Sequence, residues 1–555
     1  MMSAEIAPLK AGRFSDLGRI AFIMLIALAA RAWIISRSEV ISRDGVGFIR
    51  YARQLEDPPV SPKNPDRLMT RTEVLRASFH PPGYAYSILM ASYAVRACCT
   101  GNEPDIWVQS AQLASLMASL LLVIPTYFVG KAVFDRQTAF VATLVFQALP
   151  VSAQVASDGL SDNLFLLAVM NAVWAFVVGL QRASIARIGL GGFLAGLAYL
   201  VRPEGLILLP AIAGVLMFAR TRREINWRAF LRSGALVTAG ALAVIVPYAA
   251  TIGRITNKPT GGQLFNWLGG EEMKPTWVSQ TPLPRQDVNL LLADWWNDFG
   301  NGEQPTMLWA GSAFGRELLK TSFYVMPFLA LVGAWATRSQ LRAGGGMQLL
   351  VLLGTLHSLL LLRLAKGAGY VAERHTLLIV LCSSYFAAAA LPYISDRVAR
   401  IGYGSGRRWS IVAAVMLVAS CLPASMKPLH ASRAGHRGAG LWIAAQNEPD
   451  AYLIDPFSWG EFFAGHTRLP ATMRFDEKTV YVIVEANSRL HPRLHMMPFA
   501  KHFAAIGKPV YQWPANVPAE NARVFVYRWQ GDDFNYQWAL AYIESRRARE
   551  QGARE

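Results

Sequence analysis

Ionisable residues at the ends of hydrophobic segments are the feature of this chain most able to do chemistry. Asp44 follows the first such segment, in SRDGVGFIRYARQL, and His80 lies in HPPGY. Carboxylates can act as bases and arginines can bind anions. Similar positions recur later in the chain, with Asp158 and Asp162 in SDGLSD, Arg202 and Glu204 in RPEGLILLP, and Glu373, Arg374 and His375 in ERHTLLIV.

Each of these residues also has a purely structural interpretation. Asp158 could cap a helix, Arg374 could extend from a helix end toward lipid headgroups, and the prolines after His80 could simply form a turn. These alternatives stay open for each residue by itself. Ionisable groups at membrane depth are costly and usually face an interior cavity, so the set as a whole favours a functional site.

Membrane spans are the elements that must position these residues. Of the 555 residues, 53% are hydrophobic and 16% are charged. Several apolar segments are close in length to the roughly 20 residues that a helix needs to cross a bilayer. We therefore predict a polytopic α-helical membrane protein with about 11 transmembrane helices. The predicted spans are 19–36, 107–129, 137–156, 160–180, 188–200, 204–219, 234–252, 321–337, 347–362, 376–393 and 410–424.

The basic residues predict orientation and exclude one class of partner. The net charge of +17 is spread over short loops between apolar segments, which fits anionic lipid headgroups and argues against a nucleic-acid partner. The positive-inside rule places those loops in the cytoplasm and all the ionisable residues above on the opposite face. Residues 84–99 are interpreted as an interfacial or re-entrant helix; if they cross the membrane, the downstream orientation reverses.

Two regions outside the spans have predicted structure. Residues 46–56 have the apolar spacing of a helix that would hold Asp44 at the mouth of the bundle. Residues 437–555 read as a small α/β domain, with strands near 451–455, 480–485, 509–513 and 523–529 and a helix at 532–549. The predicted division is a membrane domain, 1–436, with non-cytoplasmic loops at 37–106 and 254–320, and a C-terminal domain on that same side of the membrane.

Taken in order over about residues 15–395, the five quoted motifs resemble the GT-C superfamily of integral-membrane glycosyltransferases. The most similar branch holds the protein O-mannosyltransferases and the aminoarabinose transferases of lipid A. The resemblance implies a GT-C fold in the bacterial inner membrane, surrounded by membrane lipid. It also implies a polyprenyl-phosphate-linked sugar donor and a glycan, lipid or protein acceptor bound at the periplasmic face.

The resemblance also implies roles for individual residues. Asp44 would be the general base that takes the acceptor hydroxyl's proton in an inverting attack. Asp158 or Asp162 matches the family's second catalytic acid, which would orient the acceptor or its neighbours; Asp158 is preferred because Asp162 lies one turn into a predicted span. The phosphate leaving group needs positive charge rather than a proton, for which Arg202 and Arg374 are suited. The other predicted substrate-binding residues are His80, Asp162, Glu204 and His375.

The chain departs from the family pattern at two positions. Gly45 stands where a glutamate is common, and His375 follows Arg374 where an aromatic residue is commoner. No cofactor is expected, and a divalent metal is not indicated because no Asp-x-Asp motif lies near Asp44. A transporter and a non-catalytic scaffold with a periplasmic binding domain are the alternatives. Many transporters bind substrate near the middle of the membrane and contain internal repeats. In this chain the ionisable groups lie at span ends, and no internal repeat is evident.

Overall fold

Helices form most of the first 425 residues in the structure, a computed structural model. It describes residues 13–61, 64–257, 306–368, 370–400, 406–448, 451–455, 457–465, 479–485 and 505–530. In chain order the helices of the membrane domain are α1 (Arg13–Arg37), α2 (Arg43–Glu56), α3 (Arg71–Ala77), α4 (Gly83–Cys98), α5 (Glu103–Val133), α6 (Arg136–Ala148), α7 (Pro150–Ser157), α8 (Asp162–Gln181), α9 (Ile185–Val201), α10 (Leu208–Thr221), α11 (Trp227–Ile252), α12 (Met307–Thr321), α13 (Met326–Ala336), α14 (Arg338–Ala343), α15 (Gly345–Ala368), α16 (Leu377–Arg400) and α17 (Gly406–Ser425).

Among the described residues, seven helices are long and apolar enough to cross a membrane, or nine if each of two bent pairs is one span. Two shorter apolar helices, Ile185–Val201 and Trp409–Ser425, coincide with predicted spans. All the predicted spans therefore fall on helices, while the count of eleven stays a prediction. The segment 84–99 is helical, as expected, but its place at the membrane interface stays a prediction as well.

The two bent pairs have identifiable causes. The chain turns by 61° between α6 and α7, where Pro150 has no N–H to continue the helical hydrogen bonds. It turns by 89° between α12 and α13, where Phe323 and Tyr324 have φ of 52° and 61°. All but the last residue of helix α12 lies inside the segment predicted as the loop 254–320, most of which is outside the described residues.

Helix α2 confirms the local prediction around Asp44. Its N-cap, Ser42, accepts a hydrogen bond from the backbone N–H of Gly45 through its hydroxyl, the usual way to satisfy a first-turn donor. The predicted apolar positions are all buried: Phe48, Tyr51, Ala52 and Leu55. Burial of this face packs α2 against the bundle; its place at the mouth of the bundle stays a prediction.

Close backbone contacts hold the central helices together. A Cβ atom at Gly192 of α9 would lie 2.1 Å from the carbonyl oxygen of Val237 in α11. Small residues of this kind let helices in membranes approach until van der Waals contact between backbones stabilises them. The first turn of α8 and the end of α9, which carry Asp162 and Arg202, are positioned by this packing.

The C-terminal region forms a small sheet with helices against it. Its strands are β3 (Tyr452–Ile454), β4 (Thr479–Glu485), β5 (Pro509–Trp513) and β6 (Val524–Gln530), in the order β3-β4-β6-β5. Only β3 and β4 are parallel. The other elements outside the membrane helices are a hairpin of β1 (Val60–Ser61) and β2 (Asn64–Leu68), and helices α18 (Ala434–Ala444) and α19 (Trp459–Phe463).

The predicted strands of this region are all found, whereas the predicted helix 532–549 lies outside the described residues. The last apolar helix ends at Ser425 and α18 begins at Ala434, on either side of a linker. The predicted domain boundary at 436/437 falls inside α18 and stays a prediction.

Replacing Gly192 with alanine tests the packing of α9 on α11. The new methyl group meets a backbone carbonyl that cannot rotate away, so we expect a loss of about 1 to 3 kcal/mol in stability. Gly189→Ala is the matched control, because its Cβ would approach no atom closer than 4.0 Å. The thermal midpoint in detergent, read by size-exclusion chromatography, should fall for Gly192→Ala alone. Equal midpoints would contradict the close contact.

Candidate active site

An ion pair joins two residues of the predicted site that lie far apart in the sequence, Asp44 and Arg374. The guanidinium of Arg374, in a 3₁₀ turn before α16, donates a hydrogen bond to the carboxylate of Asp44 in the first turn of α2. The side chain of Asp44 is 51% exposed and that of Arg374 is 22% exposed. The pair therefore lies at a surface that solvent or a ligand can reach.

The surroundings of Asp44 favour its ionised form. Burial raises the pKa of this carboxyl, but the charge and hydrogen bond of Arg374 and the charges of His80 and Arg43 lower it, and the pKa ends below its usual value. The His80 ring lies 4.6 Å from the ring of Phe48, centroid to centroid, which holds it next to α2. At neutral pH Asp44 is thus a carboxylate that can accept a proton.

A second ion pair lies deeper in the bundle. Arg202 follows the last turn of α9 and donates a hydrogen bond to Asp162 in the first turn of α8. Its Nε lies 3.6 Å from Oε2 of Glu204. Asp162 is 5% exposed and Arg202 is 15% exposed, so these charges offset one another away from bulk water.

Both arginines line one large cavity. It contains about 1070 Å³ of empty space, part of it open to the surroundings. Its charged and polar lining residues are Asp162, Arg202, Glu204, Thr256, His357, Arg363, Arg374 and His375. The rest of the wall is mainly apolar and includes Phe165, Leu166, Leu206, Ile207, Leu360, Leu361, Leu364, Leu377 and Leu378. The cavity therefore combines cationic groups with an extended hydrophobic surface.

Neighbouring elements fix the turn that carries Arg374. His357 of α15 makes a 2.9 Å hydrogen bond through Nε2 to the carbonyl oxygen of His375. The hydroxyl of Thr321, at the end of α12, donates to the carbonyl oxygen of Glu373 at 2.9 Å. These contacts flank Arg374 on both sides and hold its side chain between Asp44 and the cavity.

Asp158 contacts the residue that precedes α2 and is not among the residues that line the cavity. Its Oδ1 accepts a 2.7 Å hydrogen bond from the backbone N–H of Ser42, and both of its carboxylate oxygens lie 3.0 Å from Nε2 of His430. The structure thus brings Asp158 to the backbone that precedes Asp44, and its predicted catalytic role stays a prediction.

The structure also explains the glycine that follows Asp44. A Cβ atom at Gly45 would lie 3.2 Å from each of the carbonyl oxygens of Asp158 and Gly159. The first turn of α2 is pressed against the loop between α7 and α8, leaving little room for a side chain. The missing glutamate is therefore consistent with the local packing.

Most of the predicted site residues converge. Five line the cavity (Asp162, Arg202, Glu204, Arg374 and His375), and Asp44 joins them through Arg374. Arg363, His357 and His430 were not predicted. Arg363 directly follows a predicted span, so the rule used for the other ionisable residues would have found it. Nothing local in the sequence singles out His430, whose contact with Asp158 joins positions 272 residues apart.

The part of the chain that the structure describes holds no group of three or more His, Cys, Asp and Glu side chains suited to a metal ion. Each of the two predicted catalytic carboxylates contacts a basic side chain instead: Asp44 contacts Arg374, and Asp158 contacts His430. That no metal is needed stays a prediction.

Comparisons with known proteins agree on the fold. Residues 80–254 match the family model described as dolichyl-phosphate-mannose-protein mannosyltransferase. No curated protein sequence matches the chain significantly. The structure resembles the oligosaccharyltransferase AglB of Archaeoglobus fulgidus, solved with an inhibitory peptide and a dolichol-phosphate: the TM-score is 0.58 and the identity 14%, over 94% of this chain and 77% of that one.

A second solved structure is similar over nearly its whole length. ArnT from Cupriavidus metallidurans, bound to undecaprenyl phosphate, has a TM-score of 0.53 and 11% identity, over 92% of this chain and 98% of that one. At such identities the likeness establishes the fold. Together with the match of residues 80–254 to the family model, it confirms the resemblance predicted from the order of the sequence motifs.

Replacing Gly45 with alanine tests the packing of the first turn of α2. The added methyl group must displace two backbone carbonyls by a few tenths of an ångström, and we expect a loss of about 1 to 3 kcal/mol in stability. Gly47→Ala is the control on the same helix, because no atom lies within 4 Å of its Cβ, and alanine favours helix. Thermal midpoints in detergent compare the two. A Gly45→Ala protein as stable as Gly47→Ala would contradict the packing.

Proposed function

We propose that this chain, which has the fold of the GT-C superfamily of integral-membrane glycosyltransferases, transfers a sugar from a polyprenyl-phosphate-linked donor to an acceptor hydroxyl. The acceptor is a glycan, lipid or protein at the periplasmic face of the bacterial inner membrane. The observation that carries the proposal is the cavity in which arginines meet an extended apolar wall beside the carboxylate of Asp44.

The composition of the cavity fits a polyprenyl phosphate. An isoprenoid chain would pack against the apolar side chains that α8, α15 and α16 contribute to the cavity wall. A phosphate is bound by charge-assisted hydrogen bonds from arginine. Arg202, Arg363 and Arg374 all line this cavity. Asp162 and Glu204 contact Arg202, so we assign them the role of holding that guanidinium in place.

The proposed reaction is a single inverting displacement. Asp44 accepts the proton of the acceptor hydroxyl as its oxygen bonds to the anomeric carbon. The bond from that carbon to the phosphate oxygen breaks, and the phosphate keeps the electron pair. The arginines stabilise its added charge, so no acid is needed to protonate it. One carboxylate is then sufficient, which agrees with Gly45 rather than a second acid beside Asp44.

The Asp44–Arg374 ion pair suggests how donor binding prepares the base. A phosphate that enters the cavity competes with Asp44 for the guanidinium of Arg374. A carboxylate that loses a cationic partner becomes a stronger base. Donor binding would therefore raise the basicity of Asp44 when the sugar is in place. His80 and His375, which lie beside Asp44 and in the cavity wall, are proposed to contact sugar or acceptor.

Replacing Asp44 with asparagine should abolish sugar transfer. The amide has nearly the same shape but cannot accept the proton, and loss of a general base typically costs about 10²- to 10⁴-fold in rate. Asp57→Asn is the matched control, an exposed carboxylate at the other end of α2. The assay supplies polyprenyl-phosphate sugars and a membrane extract to the purified protein in nanodiscs and detects labelled product.

The outcomes separate the proposal from its rivals. Transfer by the wild type and Asp57→Asn but not by folded Asp44→Asn supports the proposed base. Equal transfer by Asp44→Asn overturns its role. Movement of the donor across liposome membranes without any modified acceptor would identify a transporter instead.

Replacing Arg374 with glutamine should weaken donor binding and change the pH profile. Losing a charge-assisted hydrogen bond of about 1.5 to 3 kcal/mol predicts an increase of roughly 10- to 100-fold in KM for the donor. Arg374 lowers the pKa of Asp44 in the free enzyme, so its removal should move the acid limb of kcat/KM to higher pH. Exposed Arg338, as Arg338→Gln, is the control. An unchanged donor KM would contradict the phosphate role.

A further inference from the structure

The linker before the C-terminal domain reaches the loop that precedes Asp44. His430 lies 3.0 Å from both carboxylate oxygens of Asp158, one of which also accepts the backbone N–H of Ser42 at 2.7 Å. Ser42 in turn caps α2, two residues before Asp44. A continuous chain of hydrogen bonds therefore runs from the linker to the first turn of α2.

The C-terminal domain contacts the same segment a second time. The indole N–H of Trp459 donates a 2.7 Å hydrogen bond to the carbonyl oxygen of Ile41, and Glu461 forms a 3.0 Å ion pair with Arg50 of α2. Trp459 and Ile41 are both buried. The domain thus contacts both the residues just before α2, through Trp459, and the polar side of α2, through Glu461.

Backbone geometry is unusual where these contacts originate. His430 and Ser458, the residue before Trp459, have φ of 48° and 66°, a left-handed conformation that residues other than glycine rarely adopt. Such conformations persist where surrounding contacts hold them, often at functional sites. The chain is bent at both places to bring a side chain toward residues 41 and 42.

The contacts of Asp158 argue against direct action on substrate. Its carboxylate oxygens are engaged by Ser42 and His430, it is buried, and it does not line the cavity. A carboxylate beside a helix N-terminus also stabilises the exposed N–H groups there. Its surroundings are therefore those of a group that holds backbone.

We infer that Asp158 and His430 are positioning residues through which the linker and C-terminal domain hold the first turn of α2, and with it the base Asp44. This inference rests on the proposed function, in which Asp44 is the base. Rates of proton transfer depend steeply on the placement of the base, and a shift of about 1 Å can cost on the order of 100-fold.

Activity of His430→Ala, Asp158→Asn and the double variant tests the inference. We expect kcat to fall about 10- to 100-fold, with the donor KM nearly unchanged because neither residue lines the cavity. The acid limb of kcat/KM should move to higher pH, since a displaced Asp44 loses part of its contact with Arg374. The double variant should lose no more than the worse single variant. His430→Gln, which can still donate to Asp158, should restore part of the rate.

The matched control is Arg437→Gln. Arg437 forms a 2.9 Å ion pair with Asp105 of α5, so its loss weakens another contact of the same domain without touching the start of α2. It should leave the pH profile unchanged. If His430 only stabilises the fold, His430→Ala and Arg437→Gln should both lower activity, and by the same factor at every pH. Such a result would overturn the inference.

Amide hydrogen exchange of residues 43–56 in nanodiscs separates the inference from the proposed function. His430→Ala and Asp158→Asn should speed exchange in this segment, and Arg437→Gln should not. If the wild type transfers no sugar but exchange responds in this way, the positioning stands and the proposed function fails. If the wild type is active and neither exchange nor the pH limb changes in the variants, the positioning role is wrong.

Discussion

The cost of ionised groups at membrane depth shapes the whole site. A charge removed from water needs a partner of opposite sign, or its desolvation makes the fold unstable. Asp162 with Arg202 meets this requirement inside the bundle, and Asp44 with Arg374 forms a second pair at the surface that solvent can reach. Because the partners come from α2, the turn before α16, α8 and the end of α9, the two ion pairs also bring four separate elements to one place.

The Asp44–Arg374 pair also borders the cavity. Arg374 is only 22% exposed and lies between a carboxylate and a cavity with apolar walls. A phosphate in that cavity would offer the guanidinium a second anionic partner. In the proposed function, the guanidinium would exchange the carboxylate for the phosphate when a donor binds, and the carboxylate would then be free to accept a proton.

The cavity is built from the ends of helices. Helix α9 ends at Val201, and Pro203 directly follows Arg202. Short 3₁₀ turns at Pro203–Ile207 and Glu373–Thr376 bring Glu204, Arg374 and His375 to the cavity wall. The C-terminal domain adds contacts from the same end of the bundle as Asp44, through His430, Trp459 and Glu461. Asp44 therefore lies where the membrane helices meet the C-terminal domain, and aromatic residues of that domain, Phe457 and Trp459, belong to the same hydrophobic cluster as the helices.

The sequence by itself determined the helices, the apolar face of α2, the strands of the C-terminal domain and most of the charged residues at the site. Hydrophobic periodicity and the cost of membrane charges are local signals, readable at each position. Tertiary structure alone decided which charges pair, that Asp158 contacts Ser42 and His430, and that Gly45 has no room for a side chain. These depend on contacts between residues from 40 to 330 positions apart, which no local pattern records.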